Sequence, residues 1–161
     1  MRKIIPALLI GLLASACSSI DCPVQNVVAT VYGLYKSDGT ADTLTDTLTI
    51  LTRRSDGTDS ILLNRSVGTK SFQLPVSYTR PEDTLLFVVK SAAATDSDYV
   101  YIKKESYPHF ESVDCNIAFF HQITSIRLGS NNAIDSITIN KAYIDYDLST
   151  EHLHIYFKNR D

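Results

Sequence analysis

The chain is 161 residues long with 44% hydrophobic side chains, enough to bury the core of about one domain, and it contains no long linker. Fifteen Lys+Arg against 18 Asp+Glu give a formal net charge of −3 without a basic stripe, which argues against nucleic acid as a partner. The only strongly apolar run is too short to cross a bilayer comfortably as a helix, which argues against a permanent membrane span.

That run comes first in chain order. Arg2 and Lys3 form a basic n-region, Ile4 to Leu13 an apolar h-region, and Ala14-Ser15-Ala16-Cys17 follows. The order resembles a bacterial lipobox, in which a peptidase cuts before the cysteine and the thiol carries diacylglycerol. Ala14 stands where Leu is more usual. Ala14-x-Ala16 also fits an ordinary secretory signal, and both readings place the cut before Cys17. Lipidation at Cys17 is favoured, because a secreted chain would otherwise begin with an exposed reactive thiol. The expected organisation is a signal peptide over 1–16, a lipidated N-terminus and short tether over 17–21, and a single domain over 22–161. Removing the signal takes Lys+Arg from 15 to 13 against 18 Asp+Glu, a mature charge of −5. The two remaining cysteines, Cys22 and Cys115, then sit in an oxidising compartment and are expected to form a disulfide. The alternative is that one or both are small buried hydrophobes.

Further along, the hydrophobic period is mostly two and the residues are β-formers. The runs are "NVVATVYGLY", "DTLTILT", "SILLNRS", "TKSFQL", "TLLFVVK", "DYVYIKK", "IAFFHQITSIRL", "AIDSITIN" and "HLHIYFK". Turn signals separate them at 36–40, 55–60, 66–69, 79–83 and 129–133. Leu153, Ile155 and Phe157 share one face of the last run. "LLFVVK" is apolar on both faces, as a strand in the middle of a sandwich would be. The pattern predicts an all-β, two-sheet β-sandwich of immunoglobulin-like type, with a small closed β-barrel as the alternative.

The stretches "CSSIDCP", "DTLTILTRRSDGTDSILLNRSVGTKSFQLPVSY", "YPHFESVDCN", "FFHQIT" and "NAIDSITINK" together resemble a family of small lipoproteins of Bacteroidota grouped as a domain of unknown function. The resemblance implies an all-β lipoprotein of a diderm envelope. It supplies no activity and no catalytic residues.

Three features could carry chemistry. His152 and His154 form an H-x-H pair whose side chains would share a strand face and could meet one metal, although solvent-facing histidines explain the pattern equally. The repeated "SDGT" at Asp38 and Asp56, with Asp42, Asp46 and Asp59 nearby, is oxygen-rich but lacks an EF-hand's ordered ligands, and hairpin turns explain it without calcium. Neither is assigned a metal, and no cofactor is expected. In the segment 107–123, a tight turn at Asp114-Cys115-Asn116 would set His109 opposite His121 and Phe110 opposite Phe120. His109, Phe110, Glu111, Phe119, Phe120 and His121 are therefore the candidate interaction surface. Ser112 and Ser125 stand in no nucleophile turn, so no catalytic residue is assigned.

The expected function is a non-enzymatic binding or assembly module, lipid-anchored at the outer membrane. The alternative is a small-ligand or carbohydrate-binding lipoprotein. Ser18 beside the lipidated cysteine, with no acidic run after it, points to the periplasmic face and to an outer-membrane or periplasmic protein as partner.

Overall fold

The computed structural model describes residues 27–54, 56–112 and 115–158. Every regular element among them is a strand: β1 (Ala29–Tyr35), β2 (Thr47–Arg53), β3 (Asp59–Ser66), β4 (Ser71–Pro75), β5 (Glu82–Lys90), β6 (Thr95–His109), β7 (Ala118–Leu128), β8 (Ile134–Ile139), β9 (Tyr143–Ile144) and β10 (Leu153–Phe157). Each of the nine apolar runs overlaps a strand, and among the described strands the two-residue β9 lies outside them. The strands form two open sheets, ordered β4-β1-β10-β8 and β3-β2-β5-β6-β7-β9. The fold is therefore the two-layer sandwich, and neither sheet closes into a barrel.

Alternation decides which face each strand buries. In β2, Leu48 and Ile50 are fully buried while Thr47 and Thr49 face outward. In β5, Asp83, Leu85, Phe87 and Val89 point inward, with Leu86 and Val88 half-buried behind them. β5 is hydrogen-bonded on both sides, to β2 and β6, and this interior position explains its apolar outer face. Leu153, Ile155 and Phe157 are buried as their spacing predicts. Stacked Tyr32 and Phe72 (4.7 Å) meet Phe87 of the facing sheet at 6.2 Å, so aromatic contacts join the layers. Full burial of each such side chain contributes about 1.5–3 kcal/mol.

The four-stranded sheet is closed by a long-range pairing. β1 lies parallel to β10, with Tyr32 beside Leu153 and Leu34 beside Ile155, and antiparallel to β4. β1 is buried on both faces from Ala29 to Leu34, and Glu151, just before β10, lies over Gly33. A Cβ on Gly33 would stand 2.3 Å from the Glu151 carboxyl group.

In the six-stranded sheet, β6 outruns β5. β5 pairs with β6 only as far as Lys103, whereas the β6–β7 ladder continues to His109 opposite Ala118. A bulge at Thr124, between the Lys103–Ser125 and Lys104–Ile123 pairs, marks the point where the hairpin passes the end of β5. The hairpin end thus overhangs the sheet.

Candidate contact surface at the hairpin end

The register of this hairpin corrects the sequence expectation. Ser106 lies opposite His121, Tyr107 opposite Phe120 and His109 opposite Ala118, so His109 does not pair with His121, nor Phe110 with Phe120. The connection spans the eight residues 110–117. The register moves by three residues, an odd number, and this places the two histidines on opposite faces of the sheet.

On the outer face, the His109 ring stacks on Phe120 at 4.1 Å. Tyr146 stands edge-on to both, 4.9 Å from Phe120 and 5.8 Å from His109, and Tyr143 is 6.0 Å from Phe120. His109 Nε2 lies 3.2 Å from Glu111 Oε1. The Tyr107 hydroxyl donates to Glu105, and this bond raises the phenol pKa. Around the cluster, Phe110 (64% exposed), Ile117, Tyr107 and Tyr143 present large apolar surface to solvent.

The inner face has a different chemistry. Phe119 stacks on Tyr78 at 4.6 Å and helps line a 280 Å³ depression with Val28, Val76, Ile117 and His121. His121 is buried, and its Nδ1 is 2.9 Å from Ser106 Oγ. Burial first, then the charge of Lys104, lowers its pKa to about 4. Lys104 is itself buried, 2.8 Å from Asp83 and donating to the Arg80 carbonyl at 3.0 Å. A Ser–His contact serves catalysis when a carboxylate orients the imidazole. Here Asp83, on the same inner side, is taken up by Lys104. The six candidate residues therefore divide: His109, Phe110, Glu111 and Phe120 belong to the exposed end, Phe119 to its inner rim, and His121 to the interior.

The H-x-H pair also differs from expectation, since His152 does not face water. It precedes β10 and is fully buried; its Nδ1 accepts from the Val31 amide at 3.0 Å, and its own amide donates to the Val31 carbonyl at 2.8 Å. Its Nε2 makes no hydrogen bond among the described residues. Burial, then Lys141, lowers its pKa. His154 instead lies 3.1 Å from Glu151, which also accepts from the Tyr35 hydroxyl at 2.7 Å. Among the described residues, no three His, Cys, Asp or Glu side chains group as metal ligands. The two SDGT segments are matching turns: Gly39 and Gly57 have φ of +84° and +82°, and Asp38 and Asp56 accept from the amides and hydroxyls of Thr40 and Thr58. These turns spend their carboxylates internally.

Cys17 and Cys22 lie outside the described residues. Cys115 is half-buried in the hairpin connection, its amide donating to the Ser112 carbonyl at 3.2 Å.

Fold and surface define an all-β sandwich with an overhanging aromatic hairpin. The chain belongs to the family of unknown function DUF6452, whose model matches residues 47–157, from the first residue of β2 to the last of β10. Neither a curated protein nor a solved structure matches it.

Proposed function

We propose that this chain is a lipid-anchored envelope protein, attached through Cys17 to the periplasmic leaflet of the outer membrane. It acts as a non-enzymatic binding or assembly module whose β6–β7 hairpin end docks on an integral outer-membrane protein. The observation that carries this reading is the exposure of Phe110, Ile117, Tyr107 and Tyr143 around an ordered aromatic cluster. Large exposed apolar side chains gathered at one end mark interaction sites. Residues 105–121 contain Glu105, Glu111 and Asp114 but neither Lys nor Arg, and such an acidic end is repelled by anionic headgroups, which favours protein over bilayer. A Cys22–Cys115 disulfide is part of the proposal. From lipidated Cys17 to Cys22 are five residue steps, ~18 Å at full extension, so the crosslinked hairpin end would lie close to the membrane.

The test is purification from detergent-solubilised membranes, with photo-crosslinkers at Glu111, at Asn116 and, for comparison, at Gly57. One stoichiometric outer-membrane protein captured at the first two positions and not at the third is the expected result. Equal capture at all three, capture of lipid alone, or a solitary protein that binds glycans overturns the proposal.

A second reading, a small-ligand or carbohydrate binder, draws on Tyr99 and Tyr101. Their rings lie 6.3 Å apart on the outer face of the same sheet, beside a 220 Å³ depression.

A further inference from the structure

At the opposite end of the six-stranded sheet's outer face, β2, β3 and β5 enclose a depression of about 590 Å³. Its wall includes Asp46, Thr47, Thr49, Arg65, Lys90 and Thr95. The register explains why these side chains meet: Thr47 lies beside Lys90, Lys90 beside Thr95, and Thr49 beside Val88, all on the outward-facing alternation of their strands. Arg65 joins from β3, where its amide donates to Thr49 Oγ1 at 3.3 Å. Among the described residues, neither Arg65 nor Lys90 has an ion-pair partner. On an acidic chain, two cations thus border one hydroxyl-lined concavity.

The backbone singles out the same residue. Arg65 is the one described non-glycine residue with positive φ, +51°, and it sits where the β2–β3 register shifts between Leu48–Ser66 and Ile50–Leu63. Glycine or asparagine adopts this conformation more easily, and bulges re-aim side chains next to functional sites. An arginine in so strained a conformation points to a role for its side chain.

We infer that this depression binds an oxyanion, a phosphate or carboxylate carried on a hydroxylated molecule. The Arg65 guanidinium and Lys90 ammonium would take the charge, and the hydroxyls of Thr47, Thr49 and Thr95 would donate to the remaining oxygens. Arginine presents paired donors to such groups, and charge-assisted hydrogen bonds are the stronger kind. Thr49 Oγ1 accepts from the Arg65 amide, which leaves its own hydrogen available to a ligand.

The test uses the full folded domain and three probes, inorganic phosphate, glucuronate and glucose, followed by amide chemical shifts at constant ionic strength. Constant salt removes general screening. The expected result is saturable shifts at Thr47, Thr49, Arg65, Lys90 and Thr95 with phosphate or glucuronate and none with glucose; the tighter of the two anions identifies the source group. Arg65→Gly is the informative variant. It relaxes the backbone, so the melting temperature holds or rises, while anion affinity falls at least about tenfold. Lys90→Gln should lower affinity in the same direction, and variants in the β6–β7 hairpin should leave it unchanged. Shifts that fail to saturate, equal response to glucose, or undiminished binding by Arg65→Gly overturns the inference.

Discussion

Three buried polar residues give the fold a pH profile. Asp98 is fully buried on β6 and accepts from the Asn132, Ala133 and Ile134 amides at 2.7, 2.7 and 2.8 Å and from the Ser130 hydroxyl at 2.8 Å, which fixes the start of β8. Burial alone would raise its pKa, but these donors outweigh it and hold the carboxyl below its ordinary range. His121 moves in the direction burial dictates, down to about 4. For a histidine with a depressed folded pKa, the unfolded chain takes up the proton first. Its cost is zero above the ordinary value of about 6.5, grows as pH falls towards about 4, and is constant below. His152, also depressed, acts in the same direction. Asp98 has the opposite protonation preference, so its contribution is complete above about 3.9 and is lost only as pH falls through its lower folded value. Stability should therefore fall in two stages: a histidine stage between about pH 6.5 and 4, worth on the order of 3 kcal/mol for His121, then a carboxylate stage below it. Urea titrations at pH 7.5, 5 and 3 would resolve them. His121→Asn should flatten the first stage and leave the second; an unchanged slope between pH 7.5 and 5 in that variant would remove His121 as the cause.

At the scale of elements, the strands were legible because alternation and β-branched composition are local signals, as Leu48 and Ile50 against Thr47 and Thr49 show. What escaped was set by tertiary context. β9 is two residues held against His121 and Gln122, too short to leave a pattern. A turn centred on Cys115 predicts a β6–β7 register three residues away from the one found, because the connection spans 110–117. Asp98 gave no signal at all, since its four donors come from a loop more than thirty residues away. The H-x-H pair suggests two equivalent imidazoles, but His152 hydrogen-bonds to Val31 of β1 and is fully buried, while Glu151 beside it lies over Gly33. That cover is tested at Gly33. Gly33→Ala places a methyl group on the Glu151 carboxyl, which can swing away only by giving up Tyr35 and His154. The expected loss is about 1–2 kcal/mol by chemical denaturation. Adding Glu151→Ala removes the clash, so the double variant should be no less stable than Glu151→Ala alone. Fully additive losses would show that Gly33 matters for another reason.

Taken as a whole, the sandwich depends on a strand outside the family-matched span. β1 sits between β4 and β10 although the match begins at Thr47, so the four-stranded sheet is completed by chain far from its partners in sequence. Cys22 precedes Ala29 by seven residues, and Cys115 lies in the connection between β6 and β7 of the other sheet. A bond between them would tie the entry of β1 to the overhanging hairpin, joining the two layers covalently at one end. Enclosing about 94 residues, it would restrict the unfolded chain by about 4–5 kcal/mol in the loop-entropy model, with measured effects often smaller. That is a large share of the 5–15 kcal/mol typical of a native domain. A non-reducing peptide map should contain the Cys22–Cys115 pair, and reduction should lower the urea midpoint. Cys22→Ser, Cys115→Ser and the double variant should then have the same stability, because each removes the same bond. Unequal single variants, or a double variant weaker than either, would show that the sulfurs act separately as buried side chains, and the crosslink would have to be abandoned together with the membrane-proximal placement of the hairpin.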